Sequence, residues 1–109
     1  MTQLERTPEP PYYAVIFTSL QSDDTKGYGA MAEEMMRLGS EQPGYLGFES
    51  ARGEDGLGIT ISYWKDEASI AAWKANSKHL VAQRLGNERW YSDWQVRVAK
   101  VERAYLGPG

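Results

Sequence analysis

Residues 58–84 read GITISYWKDEASIAAWKANSKHLVAQR, and this stretch decides the fold. It opens as a strand. Ile59, Ile61 and Tyr63 alternate with Thr60, Ser62 and Trp64, so successive side chains go to opposite faces. One of Tyr63 and Trp64 must therefore face any covering helices and the other the far side. Lys65-Asp66-Glu67 turns the chain into a helix, with Asp66 as the N-cap and Glu67 in the acid-favouring first turn. Ile70, Trp73, Ser77, Leu80 and Val81 then fall on one helical face. The only histidine of the chain, His79, stands on the same unit.

Working outward, Gly53-Glu54-Asp55-Gly56 predicts a hairpin turn joining this strand to an earlier one, Tyr45–Arg52. Gln42-Pro43-Gly44 has turn chemistry. Before it, Tyr28, Met31, Ala32, Met35 and Leu38 form an amphipathic stripe, capped by Asp24 or Thr25 and closed by Gly39 at the C′ position. Residues 12–20, YYAVIFTSL, predict a first strand with apolar residues on both parities, hence buried on both faces. Residues 94–105, WQVRVAKVERAY, predict a long last strand. Its apolar parity switches along its length, which calls for a bulge or for cover on each face at a different point. Residues 1–11 read as a flexible N-terminal arm and 106–109 as a C-terminal tail, leaving one domain over 12–105.

The order β-α-β-β-α-β is that of an α+β, ferredoxin-like fold with a four-stranded antiparallel sheet and both helices on one face. A chain of 109 residues has nothing left to cover the other face. A second copy packing sheet against sheet supplies that cover most simply.

Composition narrows the chemistry. The net charge is −3 with scattered basic residues, which argues against nucleic acid as a partner. There is no cysteine, so disulfides, thiolate nucleophiles and thiolate metal sites are excluded. No metal-ligand cluster is apparent, and Gly53–Gly58 is followed by a strand rather than a helix, unlike a phosphate cradle. No stretch is long enough to span a bilayer, and MTQLERTPEPP lacks the apolar core of a signal peptide, so a cytoplasmic protein is the expectation. Four Trp, seven Tyr and two Phe suit a small core, an aromatic-lined pocket or a subunit interface.

The strand ending Ile61-Ser62-Tyr63-Trp64, the helix signature Trp73…Ser77…His79…Ala82, the turn Gln42-Pro43-Gly44-Tyr45 and the last strand ending Val101-Glu102-Arg103-Ala104-Tyr105 carry a resemblance. Over residues 11–105 the chain resembles the antibiotic biosynthesis monooxygenase (ABM) domain family. That resemblance implies a homodimeric α+β barrel with a pocket between helices and sheet in each subunit. It also implies a small aromatic ligand. Some members oxygenate polycyclic phenols with no metal and no organic cofactor, the deprotonated substrate reacting with dioxygen directly. Others degrade haem with a histidine ten residues after the helix tryptophan. Here Gln83 holds that position and His79 lies six residues after Trp73, which counts against haem.

On the residues themselves, His79 is the natural candidate base, being the one side chain with an ordinary pKa near neutrality. A straight helix places it with Ala72, Asn76 and Gln83, opposite the apolar face; a break at Asn76-Ser77 re-aims it toward a pocket. Trp73 and Trp64 are core packing or the walls that hold a substrate plane. Tyr13, Tyr63 and Tyr91 are structural or hydrogen-bond a phenolic oxygen. Arg52, Arg97 or Asn76 would stabilise charge developing on oxygen, against a plainer role in surface or interface pairs. Met35 belongs to the helix core or to the pocket wall. A monooxygenase is the first functional expectation; a non-catalytic hydrophobic-ligand binder or stress-response module on the same fold is the alternative.

Overall fold

The computed structural model describes residues 4–23, 26–77 and 91–107. The elements run β1 (Tyr12–Gln21), α1 (Tyr28–Ser40), β2 (Tyr45–Arg52), β3 (Leu57–Trp64), α2 (Glu67–Ser77) and β4 (Tyr91–Val101). All sheet pairings are antiparallel, in the order β2-β3-β1-β4. This is the α+β, ferredoxin-like arrangement that the element order predicts.

Two local devices set the positions of the helices. At α2, Asp66 Oδ1 accepts from the Ser69 backbone N–H (2.8 Å) and from Ser69 Oγ (2.7 Å), the capping expected of it. These bonds hold the Asp66 carboxyl below its usual range. Between α1 and β2, Gly44 takes φ +85°, and Tyr45 N–H closes the turn on Gln42 C=O at 3.2 Å. A Cβ on Gly44 would lie 2.0 Å from Ser69 Oγ, so both the turn and the approach of α2 require glycine.

The helix ends differ from the sequence reading. The N-cap of α1 is Gly27, at φ 83° and with no side-chain cap bond, rather than Asp24 or Thr25. Gly39 does not end the helix; it lies in the last turn. A Cβ there would meet the Trp73 ring at 3.6 Å, an ordinary contact, so α1 lies against the indole at this position without requiring glycine. The stripe side chains Tyr28, Ala32, Met35 and Leu38 are half-buried as expected, while Glu33 and Arg37 face solvent. Arg37 pairs there with Glu34 and Glu41.

The sheet has a helix-covered face and an open one. Trp64 faces the helices and Tyr63 the open side. Residues 4–11 form neither helix nor strand and run to the open face, where Glu5 N–H donates to Glu49 Oε2 (3.2 Å) and Thr7 Oγ to the Tyr12 hydroxyl (2.8 Å). Tyr12 and Ala14 are buried at that end. Double-sided burial of β1 stops there: Leu20 is 41% exposed, as are its open-face neighbours Leu57 (43%) and Ile59 (44%). β4 keeps a regular alternation through Val96, Val98 and Val101. Its irregularity sits at the other end, opposite Leu20/Gln21, so the parity switch reflects apolar residues on both faces and not a bulge among the valines.

Candidate functional site

Strand register arranges the helix-side face into four rows running across β2, β3, β1 and β4. The first is Tyr45–Trp64–Tyr13–Lys100. The second is Phe48–Ser62–Val15–Val98, the third Ser50–Thr60–Phe17–Val96, and the fourth Arg52–Gly58–Ser19–Trp94.

The first row is closed by packing. Trp64 is 1% exposed and stacks on Trp73 of α2 with ring centroids 6.2 Å apart and planes at 22°. Tyr45 meets Trp64 edge-on, and Trp64 Nε1–H donates to Ser62 Oγ at 2.9 Å. Beside this end, Asn76 donates to Gln42 Oε1 at 2.7 Å, tying α2 to the turn before β2. The two indoles meet each other here, as core residues do.

The fourth row is polar and turns on Gly58. A Cβ at that glycine would lie 2.5 Å from Arg52 Cζ, so the guanidinium occupies the space that a side chain would fill. Arg52 thereby reaches across β3 to donate from Nη2 to Ser19 Oγ on β1 (2.9 Å), with a longer approach to the Tyr28 hydroxyl (3.4 Å). Its Nη1 donates to Gly56 C=O of the hairpin. The Cζ lies 5.9 Å from the Tyr28 ring centroid and 6.0 Å from that of Tyr91, within cation–π range of both. The Tyr91 hydroxyl donates to that of Tyr28 at 3.3 Å. Ser19 is 2% exposed. No carboxylate of the described residues lies within ion-pair distance of Arg52.

Burial, then the hydrogen bond to Tyr28, pushes the Tyr91 hydroxyl above its ordinary pKa, with Arg52 opposing in part. Tyr91 is therefore a neutral donor at physiological pH and not a base. Phe17 packs against Tyr91 (5.3 Å, edge-on) and Trp94 (6.1 Å), continuing the cluster into an apolar floor. On that floor Trp94, Val96 and Val98 are 45%, 46% and 52% exposed. A depression of about 450 Å³ lies across the sheet from this floor, on the open face, where Thr18, Leu20, Leu57, Asp93 and Gln95 line it.

The residues singled out from sequence thus separate into groups. Arg52 anchors the polar row. Trp64, Trp73 and Asn76 gather at the opposite end of the helix side, with Tyr13 in the same row as Trp64; Met35 is half-buried on α1. Tyr63 and Arg97 lie across the sheet, on the open face. The Tyr63 hydroxyl donates to Glu49 Oε1 at 2.7 Å, and burial and that bond push its pKa up to about 12. Arg97 is exposed and bonds Gln95. The period of two puts both on the face opposite Trp64, a side that parity in the sequence left open. His79 and Gln83 lie outside the described residues. No group of acids and histidines among the described residues is arranged to hold a metal ion.

Ser19 was not singled out from sequence, and Tyr28 was read only as part of the α1 apolar stripe. A signal for Ser19 was present: it is a polar residue on the Val15–Phe17 parity of a strand otherwise rich in apolar residues. Gly58 inside a strand signals close approach by another group.

The architecture is shared with solved proteins. A point mutant of SnoaB of Streptomyces nogalater, a cofactor-independent oxygenase, superposes with a TM-score of 0.75 at 12% identity, covering 90% of this chain and 99% of that one. The uncharacterized protein YqjZ of Bacillus subtilis (strain 168) is 50% identical over 106 residues, 97% of this chain and 93% of its own. Jasmonate monooxygenase ABM of Pyricularia oryzae is 33% identical over 43 residues, which span 39% of this chain and 20% of the relative. The family model described as antibiotic biosynthesis monooxygenase matches residues 11–85, and on that match the chain belongs to the antibiotic biosynthesis monooxygenase family.

Proposed function

We propose that the protein is a cofactor-independent monooxygenase acting on a small aromatic or polycyclic phenol bound on the helix side of the sheet. One observation carries the reading: Phe17, Trp94, Val96 and Val98 form a partly open apolar floor bordered by the Ser50 and Thr60 hydroxyls and by Arg52. A flat ring is complementary to the floor, and its oxygens to the border. Family membership and the fold shared with a cofactor-independent oxygenase support it.

The chemistry needs a deprotonated, electron-rich substrate and dioxygen. At an anthrone-type methylene, two C–H bonds break and a C=O bond forms. One oxygen atom of O2 enters the substrate and the other leaves as water with the two hydrogens, so O2 is the only oxidant. The protein binds and desolvates the anion and holds it in the reactive orientation. The raised Tyr63 and Tyr91 hydroxyls are unsuited to take the first proton, which leaves His79 as the base on this reading.

A homodimer through the open face belongs to the same proposal. Leu20, Leu57 and Ile59 are each over 40% exposed there. The row Glu49–Ile61–Ile16–Arg97 has an acid at one edge and a base at the other. A two-fold axis parallel to the strands sets each Arg97 over the partner's Glu49 and the isoleucines over each other. No helix among the described residues is long and apolar enough to cross a membrane; a cytoplasmic site of action goes with this reading.

The test is oxygen uptake by metal-stripped protein mixed with hydroxylated anthrones and naphthols, against a no-protein blank. Uptake that falls in His79→Ala is the expected result. The Trp64–Trp73 stack, which fills space with protein rather than ligand, favours a second reading: a non-catalytic binder on the same fold. Fluorescence quenching by these compounds with no uptake by any of them would establish that reading instead.

A further inference from the structure

We propose that Arg52, held by Ser19 and flanked by the Tyr28 and Tyr91 rings, anchors a carboxylate of the ligand, so that the substrate class is a hydrophobic aromatic acid. This rests on the helix side of the sheet being the ligand site. A guanidinium is always ionised, and a half-buried one is ordinarily matched by an acid. Here its three oxygen partners, Gly56 C=O, Ser19 Oγ and the Tyr28 hydroxyl, are all neutral dipoles. The nearest rings supply only quadrupoles. Those partners fix the orientation of the guanidinium and leave its charge uncompensated by any described carboxylate.

Arg52 stands at the β2 end of the fourth row, and the exposed floor of Phe17, Trp94 and Val96 begins at the β4 end of the third and fourth rows. Gly58 lets the guanidinium lean across β3 toward that floor. A ring lying on the floor with a carboxylate directed at Arg52 satisfies both. The Nε–H has no acceptor among the described residues, and no buried unsatisfied side-chain donor occurs among them, so that donor is accessible to a ligand oxygen. The plainer role, fastening the hairpin to β1, accounts for the Nη1 and Nη2 bonds but not for a cation chosen where a neutral donor would serve.

The experiment compares naphthoate with its uncharged isostere naphthamide, binding measured by calorimetry to the wild-type chain, Arg52→Lys, Arg52→Ala and Gly58→Ala. Thermal unfolding of each variant verifies that it is folded. The expected result is a wild-type preference for naphthoate of about ten- to a hundredfold, the worth of one charge-assisted bond. The preference weakens at high salt, survives in part in Arg52→Lys and vanishes in Arg52→Ala, where naphthoate loses far more affinity than naphthamide. Gly58→Ala, which keeps the arginine but displaces it, lowers the preference without removing a charge. Equal affinity for the two compounds, binding of neither, or a preference that persists in Arg52→Ala overturns the proposal. Oxygen uptake separates it from the functional reading. Oxygen uptake with phenols, together with equal affinity for naphthoate and naphthamide, sinks the anchor and spares the oxygenase. A carboxylate preference with no uptake from any compound does the reverse.

Discussion

Replacing Gly58 with alanine tests the construction of the polar row directly. The new Cβ would sit 2.5 Å from Arg52 Cζ, 2.7 Å from Nη2 and 2.8 Å from Nη1. Ordinary contact begins near 3.4 Å, so the guanidinium must withdraw by roughly 1 Å. That takes Nη2 out of reach of Ser19, now 2.9 Å away. A hydrogen bond to a charged group contributes about 1.5–3 kcal/mol, toward the low end at this half-buried side chain. Ser19, at 2% exposure, then loses a partner that water cannot readily replace. Against this, the φ of Gly58 lies outside the left-handed region, and alanine there gains about 0.4–1 kcal/mol by restricting the unfolded chain. The net cost is about 1–2 kcal/mol, a fall in Tm of roughly 5–10 °C for a domain of this size. Because the cost passes through Arg52, the same substitution made in Arg52→Ala should be neutral or slightly stabilising. Urea unfolding of the four proteins of this cycle gives the coupling energy. An equal cost of Gly58→Ala in both backgrounds would refute the reasoning, since the strain would then lie in the strand and not in the arginine.

Two other glycines should respond with opposite signs. Gly44→Ala combines φ +85° with a collision on Ser69 and should cost about 2–4 kcal/mol, whereas Gly39→Ala meets the Trp73 ring at ordinary distance and should stabilise α1 by about 0.5–1 kcal/mol, both read from urea unfolding. Tyr63 has a folded-state pKa of about 12 against 10.0 unperturbed, so its contribution is complete below pH 10 and is lost as pH rises toward 12. Tyr63→Phe should flatten that alkaline limb of the stability profile, with the late phenolate absorbance disappearing in step. On the open face, Arg97→Glu should shift the sedimentation equilibrium toward monomer, and more so at low salt; a distribution identical to wild type would exclude the pairing with the partner's Glu49.

The order of elements and the parity of each strand were legible because they follow from two periods, two and 3.6, and from turn chemistry at Gln42-Pro43-Gly44 and Gly53–Gly56. Asp66 was legible as a cap for the same local reason. Gly39 was not, since a glycine near a helix end reads as a terminator unless one knows that an indole from another element lies against it. Parity fixes that Tyr63 and Trp64 oppose each other but not which one the helices cover. It likewise gave no absolute side for Arg52 and Arg97, which the register places on opposite faces. Ser19 and Tyr28 required tertiary knowledge of another kind. They join Arg52 from sequence separations of 33 and 24 residues, a distance over which no local pattern carries information.

The four rows divide the helix side between two tasks. At the Trp64 end every large group is answered by protein: indole by indole, Nε1–H by Ser62, the turn by α2. At the Arg52 end the opposite holds: among the described residues the cation is answered only by neutral oxygens, and an aromatic floor is left about half exposed. Closed packing fixes the geometry and leaves nothing for a ligand to complete. Incomplete compensation lowers stability unless something binds, and so marks the end where binding free energy is available. A hydrophobic acid seated there should therefore raise Tm, and the rise should be smaller in Gly58→Ala than in wild type. Trp73→Phe, made at the closed end, should lower Tm in the free and bound protein alike and leave the ligand-induced rise unchanged. If the ligand-induced rise instead vanished in Trp73→Phe and survived in Gly58→Ala, the ligand would occupy the indole end, and the assignment of the two ends would be reversed.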